Sequence, residues 1–309
     1  MGLTNFPNGI TSFGVPVMGG ANLIPATTGS YFFVSSGTGS NAHSGKTALE
    51  AFATIDYAIG KCTANKGDVI IVMPGHTETI AAAGGITADV AGITIVGLGN
   101  GGLKPTITFS ATASTFVISA ANVTVKNIIT TISVDEVVSM FNISGADCTL
   151  DGVDFRPYGA LGATGQARQF AAITGARCTI QNCTHRQYTA ANSAQVWITT
   201  NATDGHKILN NDVMITANAS TSSHWVGSSA APTEIEIVGN RVLFLGGTIT
   251  GVITLTTATT GLIAHNLLGS GTAVATATAI VANGAFVFEN YWIDDAAASA
   301  ILAPAAGTD

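Results

Sequence analysis

The segments Cys148–Gly152 (CTLDG) and Cys178–Asn182 (CTIQN) are two copies of the pattern that decides the fold. The pattern is apolar–x–apolar–x followed by Asn, Gly or His, and its eight copies begin at Ile93, Val123, Cys148, Cys178, His206, Ile235, Gly261 and Phe286. By subtraction, successive copies start 25 to 30 residues apart, which indicates a repeat architecture. Apolar residues recur at every second position, so each copy predicts a short strand.

The fifth position of each copy predicts a sharp corner in the chain. Residues that tolerate the left-handed backbone conformation occupy it, namely Gly97, Asn127, Gly152, Asn182, Asn210, Gly239, His265 and Asn290. A second apolar strand precedes most copies by a few residues, as in Phe116–Ile118 and Val196–Ile198. A strand, a corner, a second strand and a longer excursion in every repeat predict an all-β parallel β-helix of about eight to nine coils.

The composition divides the chain into four segments. We predict an extended arm over residues 1–30, an N-terminal strand, loop and capping helix over 31–66, the β-helix over 67–293, and a C-terminal cap or tail over 294–309. The arm holds three of the eight prolines, which disfavours a helix, yet it is too apolar for a solvated tail. We therefore predict that it binds a partner, with packing along its own β-helix as the alternative. The partner-binding residues are Phe6, Phe13, Val15, Val17 and Leu23.

Residues 47–62 predict the capping helix. Apolar side chains recur there at helical spacing, at Leu49, Phe52, Ile55, Ala58 and Ile59. A helix in this place covers the first coil, whose strand edges and core are otherwise open to association.

The run from Phe52 to Glu78 resembles the amino-terminal cap of pectate-lyase-like right-handed β-helix proteins. The family pattern is F-x-T-I-x-x-A followed by G-D-x-I-x-V-x-P-G-x-Y-x-E, and the chain matches it at Phe52, Thr54, Ile55, Ala58, Gly67, Asp68, Ile70, Val72, Pro74, Gly75 and Glu78. Thr77 departs from it, because the family commonly has Tyr there. The resemblance implies a right-handed β-helix and no particular function, since enzymes, adhesins and virion parts share this scaffold.

The arm carries a second resemblance. Residues 3–20 (LTNFPNGITSFGVPVMGG), followed by a polar loop and the cap, resemble the opening of structural proteins of tailed bacteriophages. This resemblance implies a virion protein that is docked through its arm onto the major capsid protein or another virion component. What β-helix virion proteins commonly do further implies a homotrimer.

The composition excludes several classes of partner. The net charge is −7, the isoelectric point is near 5.2, and no cluster of Lys and Arg is present, so nucleic acid is disfavoured as a partner. No apolar run is long enough to span a membrane, and the first residues do not resemble a signal peptide. We therefore expect no membrane partner and a location in the virion, after synthesis in the host cytoplasm.

The richest group of candidate catalytic residues surrounds the Gly152 corner. Glycosidases use two carboxylates about 5–9.5 Å apart, and this stretch offers Asp147, Asp151 and Asp154 beside Arg156, with Asp135 and Glu136 nearby in sequence. The alternative is that these acids satisfy the local backbone while Arg156 is a surface counter-charge. Because neighbouring repeats add no further acids, we predict no catalytic residues and no enzyme activity.

The cysteines, two histidines and two tryptophans are also interpreted as structural. Cys183 and His185 form a Cys-x-His pair without further ligands, so we predict no metal and no cofactor. Cys148 and Cys178 occupy the same position in adjacent repeats, which predicts stacked, buried free thiols. Trp197 and the His224-Trp225 pair lie on inner strands, which favours core packing over a sugar-binding platform.

Together these observations predict a non-enzymatic phage virion structural protein. It would be a capsid decoration, a cement protein or a head-fibre-like β-helix that is docked through residues 1–30. The alternative is a tailspike-type receptor-binding protein that binds or degrades host surface polysaccharide. That alternative calls for carboxylates and exposed aromatic residues along one face of the helix.

Overall fold

The chain folds as a parallel β-helix, which confirms the predicted fold class. The computed structural model describes residues 11–12, 15–16, 24–25, 27–134, 136–156, 167–187, 196–216, 224–244, 249, 251–270, 279–294 and 300–302. Within these ranges the chain passes repeatedly through three parallel sheets, in the order sheet 1, sheet 2, sheet 3. Eight such coils succeed one another between Val69 and Val281.

Each sheet contains one short strand from every coil. Sheet 1 comprises Tyr31–Val34, Val69–Val72, Thr94–Gly97, Thr124–Lys126, Thr149–Asp151, Thr179–Gln181, Lys207–Leu209, Ile235–Val238, Gly261–Ala264 and Phe286–Phe288. Sheet 2 comprises Thr77–Ile80, Thr106–Phe109, Ile129–Ile132, Asp154–Phe155, Thr184–Gln187, Asp212–Ile215, Arg241–Phe244, Leu267–Ser270, Asn290–Asp294 and Ala300–Leu302. Sheet 3 comprises Ile86–Ala88, Phe116–Ile118, Phe141–Ile143, Ala171–Ile173, Val196–Thr200, His224–Ser228, Ile253–Thr254 and Ile280–Val281.

Residues one coil apart lie directly over each other, so the core is a set of continuous stacks. Val125 pairs with Ile95 on one side and with Leu150 on the other. Aromatic rings continue in the same way, since Phe141 lies 5.4 Å from Phe116, measured between ring centroids. The sequence predicted two strands in each coil, whereas the structure has three. The missed strand, in sheet 2, follows the corner within two residues in every coil after Lys126.

The corners between sheets 1 and 2 confirm the predicted left-handed backbone at six of the eight positions. Asn127, for example, has φ 55°, and Gly152 has φ 66°. Gly97 differs: its φ is not positive, and its lack of a side chain is needed because a Cβ there would lie 2.3 Å from the Asn127 carbonyl oxygen. The last copy was placed one residue late, because Leu262 pairs with Phe286 and the corner residue is therefore Glu289, with φ 46°.

An asparagine ladder runs inside the β-helix directly after these corners. Asn211, Asn240, Asn266 and Asn290 are buried, and each of the first three donates its backbone N–H to the side-chain oxygen of the next, at 2.9–3.1 Å. Their side-chain amides donate along the same column at 2.8–2.9 Å. Every buried amide in the column is thereby satisfied, which fixes the spacing of the coils at this corner.

The N-terminal cap is shorter than predicted. A 3₁₀ turn covers Ala48–Glu50 and an α-helix covers Ile55–Ile59, while Leu49 is 89% exposed and does not join the apolar stripe. Phe52 lies between them in extended backbone, and its N–H donates to the Phe33 carbonyl at 2.8 Å. The prediction of one continuous helix was wrong, because this stretch closes the edge of sheet 1 instead.

Two acids of the family-like pattern hold this cap in place. A carboxylate oxygen of Asp68 accepts from the Ser30 N–H at 2.6 Å, and its other oxygen accepts from the Thr63 N–H at 2.7 Å. Glu78 accepts from the first N–H of the helix, that of Ile55, at 2.9 Å. Both carboxylates therefore satisfy backbone donors at the start of the β-helix.

The arm is described only in part. Phe6, Phe13, Val17 and Leu23 lie outside the described residues, and Val15 belongs to a short antiparallel pair of Thr11–Ser12 with Val15–Pro16. At the end of the arm, Ile24 packs on the outer face of sheet 1, against the cluster of Val69, Ile71 and Val96. At the other end of the chain, Ala300–Leu302 pairs antiparallel with Asn290–Trp292, as a strand. No helix within the described ranges is long and apolar enough to cross a membrane.

Candidate functional site

The acids predicted as catalytic candidates do not converge on one point. Asp151 lies on the outer face of sheet 1, where Lys126 of the preceding coil is 3.2 Å away and the Asn182 side chain donates to it at 2.8 Å. Asp154 lies past the corner, on sheet 2, and accepts from the Arg156 Nε at 2.7 Å. Each carboxylate thus has its own cation, on a different face.

The remaining acids of that group are also engaged or lie elsewhere. Asp147 accepts two hydrogen bonds from Arg177, at 2.7 and 2.9 Å, and these bonds lower the pKa of the Asp147 carboxyl. Glu136 has a left-handed backbone with φ 56°, and Asp135 lies outside the described residues. The predicted counter-charge role of Arg156 is confirmed at Asp154, whereas the printed partners of Asp147 and Asp151 are side chains of neighbouring coils and not the local backbone.

Sheet 3 carries an open cleft that the sequence did not reveal. The cavity has a volume of about 330 Å³ and is lined by Val138, Arg168, Gln169, Val196 and Thr199. These residues come from three successive coils, at the points where the chain enters sheet 3. Backbone hydrogen bonds hold them, since the Arg168 N–H donates to the Val137 carbonyl at 2.9 Å. The volume lies within the range of small-molecule sites.

Arg168 differs from the other arginines. Four of the five arginines form ion pairs with carboxylates of the same or a neighbouring coil, namely Arg156, Arg177, Arg186 and Arg241. Among the described residues, the Arg168 guanidinium has no carboxylate partner. A half-buried guanidinium beside a cavity keeps five donors in a planar fork, which suits a carboxylate or phosphate of a ligand.

The floor beside the cleft is a row of small and polar residues. On the outer face of sheet 3, neighbouring strands are paired so that one residue from each coil lies next to the following one, in the order Asn142, Ala172, Thr199, Gly227 and Thr254. The Gln169 side chain donates to the Thr199 hydroxyl. Ala172 has a small side chain and Gly227 has none, so this part of the row projects little from the sheet. At about 4.8 Å per coil, the row extends for about 20 Å, which is long enough for several sugar units.

The residues of the Cys-x-His pair point into the core. Cys183 and His185 are both buried, and no group of three or more His, Cys, Asp or Glu side chains in the described ranges is placed to hold a metal ion. Burial raises the pKa of the Cys183 thiol to about 12. Burial, with a smaller effect of Arg186, lowers the pKa of His185 to about 3. At neutral pH both groups are therefore uncharged.

The stacked thiols and the inner tryptophans follow the sequence interpretation. Cys148 and Cys178 are free and buried in adjacent coils, which confirms that prediction. Trp197 is fully buried with its ring 5.9 Å from that of Phe170, and Trp225 is buried in the next coil. His224 differs, since it is only half buried and lies near the surface of sheet 3, 3.0 Å from the Thr254 hydroxyl.

Sequence reasoning missed both the cleft and the asparagine ladder. A polar pair, Arg168-Gln169, directly before the apolar strand Ala171–Ile173 is the only local signal of the cleft. The asparagine ladder has a clearer signal in the sequence, because an asparagine follows the corner residue in four consecutive copies, from Asn211 to Asn290.

Comparison with known proteins adds a structural likeness. No protein-family model matches the chain, and no curated protein matches it significantly. A solved structure of a rhamnogalacturonan lyase aligns with a TM-score of 0.42 and 11% identity, over 85% of this chain and 87% of that one. At this identity the likeness concerns the β-helical fold. The matched protein is an enzyme, and this finding overturns the prediction that the chain is not one.

Proposed function

We propose that the chain binds an acidic polysaccharide in the cleft of sheet 3. The observation that carries this proposal is Arg168, a guanidinium without a carboxylate partner among the described residues, at the edge of a cavity of about 330 Å³. A uronic acid unit presents a carboxylate to this fork and hydroxyl groups to Gln169 and Thr199. The side chains of Val138 and Val196 contact the apolar faces of the sugar rings.

The charge distribution on the sheets supports an acidic ligand at this place. On sheets 1 and 2 the cations are paired with acids of adjacent coils, as in Lys207–Glu236 at 3.0 Å and Arg241–Asp212 at 2.9 Å. Those pairs leave little net positive charge for a ligand. A hydrogen bond to a charged group contributes about 1.5–3 kcal/mol, which corresponds to roughly 10- to 100-fold in affinity.

Calorimetric titration with polygalacturonate tests this proposal. We expect Arg168→Ala to weaken binding by roughly tenfold or more, and Arg168→Lys to restore only part of it, because an ammonium group lacks the planar fork. Arg241→Ala is the matched control, since it removes an exposed arginine from sheet 2, and it should leave the affinity unchanged. Equal loss in the two alanine variants, or equal binding of a neutral glucan, would refute recognition at Arg168.

We also propose that the chain is a component of a tailed-bacteriophage virion that is docked through residues 1–30. The support is the sequence resemblance of residues 3–20, together with an eight-coil β-helix, whose length is about 40 Å at 4.8 Å per coil. The partner is the major capsid protein or another virion component. Phe6, Phe13, Val15, Val17 and Leu23 supply the apolar contacts.

A truncated chain tests the docking of the arm. The truncation removes residues 1–23 and stops there, because Thr27 donates to the Gly67 carbonyl at 2.6 Å and Tyr31 begins the first strand of sheet 1. We expect the shortened protein to remain folded and to lose co-sedimentation with virus particles. Undiminished association with the particles contradicts the role of the arm.

A further inference from the structure

His224 lies beside the cleft, on the outer face of sheet 3. Its backbone pairs with that of Val196, which lines the cleft. Gln169, another lining residue, lies over Val196 in the preceding coil, because Ala171 pairs with Ile198 two positions further along the same strands. Gln169, Val196 and His224 therefore form one outward row across three successive coils, and His224 continues the lining of the cleft along the axis of the β-helix.

The hydrogen bonds of His224 fix which ring nitrogen carries a hydrogen atom. Nδ1 lies 3.1 Å from the Gly251 carbonyl oxygen and 3.0 Å from the Thr254 hydroxyl. A carbonyl oxygen can only accept, so Nδ1 carries the hydrogen atom in the neutral ring. Nε2 then keeps its lone pair, and it has no hydrogen-bond partner among the described residues. The next coil thus holds the ring in place, while the second nitrogen is free for a ligand.

Few charged side chains surround His224. It is the one titratable residue in the strands of sheet 3, over the part of the chain that the structure describes. Of the described residues within five positions before such a strand, only Glu136 and Arg168 are charged, and they lie three and two coils earlier than His224. The sequence of the connections 188–195, 217–223 and 245–250 contains no Asp, Glu, Lys or Arg. These segments therefore offer no carboxylate to a proton on His224, which leaves its charge for an anionic ligand.

The distance between His224 and Arg168 sets what the two groups can hold together. They are two coils apart, which corresponds to about 10 Å along the axis at about 4.8 Å per coil. This spacing suits carboxylates on two units of one polymer chain better than the two oxygens of a single carboxylate. Val196 lies between the two groups and offers an apolar surface to a sugar ring. A polymer in this site therefore runs along the axis of the β-helix.

We propose that His224 is a second anion subsite, which binds a further carboxylate of the polyuronate chain that Arg168 holds. This inference rests on the proposed function of the cleft. In the protonated ring, Nε2–H donates to the ligand carboxylate while Nδ1–H still donates to the Gly251 carbonyl. Histidine side chains change charge between about pH 5 and 8, whereas carboxylates stay ionised there. Binding of the polymer therefore strengthens as the pH falls through this range, and it is accompanied by uptake of a proton.

Calorimetric titration of the full chain with polygalacturonate, at pH 5.5 and at pH 8, tests this inference. We expect the wild type to bind roughly tenfold more tightly at pH 5.5. His224→Gln should lose this difference, because an amide gains no charge on acidification. His43→Gln is the matched control: His43 also contacts a backbone carbonyl through Nδ1, that of Ala51 at 3.1 Å, but it lies in the N-terminal loop. This variant should keep the pH dependence of the wild type.

The uptake of protons is measured by repeating the titration at pH 6.5 in two buffers of different ionisation enthalpy. With the fold of each variant verified by circular dichroism, we expect the wild type to take up protons on binding and His224→Gln to take up fewer. Equal pH dependence and equal uptake in these two proteins overturn the subsite at His224, while a loss of binding in Arg168→Ala still supports the proposed function. Absence of polygalacturonate binding by the wild type at both pH values overturns the proposed function, and this inference with it.

Discussion

Replacement of His185 by leucine should remove a large part of the protein's sensitivity to acid. His185 is fully buried, with its ring centroid 4.2 Å from that of Phe170 and 5.4 Å from that of Trp197. Within the described part of the chain, neither ring nitrogen has a hydrogen-bond partner. The pKa of His185 is lowered from 6.5 to about 3, mainly by burial and to a smaller extent by Arg186, while Asp212 acts in the opposite direction.

The magnitude follows from the difference between the two pKa values. The folded protein holds His185 neutral down to about pH 3, whereas the unfolded chain takes up a proton below about pH 6.5. The effect of His185 is therefore absent above pH 6.5, and below it the free energy of unfolding falls by about 1.4 kcal/mol for each pH unit. At pH 4.5 the loss is about 3 kcal/mol.

Urea unfolding followed by tryptophan fluorescence, between pH 7 and pH 4.5, measures this loss. His185→Leu should be at least as stable as the wild type at pH 7, because it removes two unpaired polar atoms from the core. On acidification its free energy of unfolding should then fall less than that of the wild type, by about 3 kcal/mol at pH 4.5. Val213→Ala is the matched control in the same core row, and its cost, about 2 kcal/mol, should not vary with pH. Parallel curves for His185→Leu and the wild type refute the reasoning.

Three further predictions concern the corners and the cap. Asn240→Ala should cost about 3 kcal/mol in urea unfolding, since the backbone and side-chain amides of Asn211 both lose their acceptor. Glu289→Gly should raise the thermal midpoint, because a left-handed non-glycine residue costs about 1–2 kcal/mol; an unchanged midpoint contradicts this. Glu78→Gln should speed hydrogen exchange in the helix Ile55–Ile59, whose first N–H it caps, and leave exchange in the central coils unchanged.

The fold was predictable because its strongest constraint acts on inward residues. A short strand such as Thr149–Asp151 buries one side chain, Leu150, and that residue must be apolar in every coil. The residue after the strand must tolerate a left-handed backbone, which leaves a repeated Gly or Asn in the sequence. Both constraints recur with every coil, so they are visible without knowledge of the contacts.

The strands of sheet 2 and the short length of the helix in the cap were harder to predict from the sequence. In Asp154–Phe155 only one residue points inward, which is too short a run for a period to be recognised. In the cap, Leu49 and Phe52 have helical spacing, but the backbone of Phe52 is required by the edge of sheet 1. A tertiary hydrogen bond thus outweighs a local preference for helix.

The cleft was not predictable, for a different reason. Val138, Arg168 and Thr199 are about 30 residues apart and meet only because the coils stack. Outward residues are not constrained by the core, so they leave no period in the sequence. Whether Arg168 has a carboxylate partner among the described residues depends on which side chains its neighbours present, and a sequence pattern does not contain that information.

The position of the cleft follows from which connections can vary in length. After Lys126, the corner between sheets 1 and 2 has at most two residues, and in the later coils an insertion there would break the hydrogen bonds of Asn211 and Asn240. The turn between sheets 3 and 1 keeps a nearly constant length of four to six residues, for example 144–148. After Lys126, the connection from sheet 2 to sheet 3 varies most, from residues 133–140 in one coil to 156–170 in the next. New side chains such as Arg168 can therefore be introduced at the edge of sheet 3 without a cost to the core, and recognition of a ligand is expected on that face.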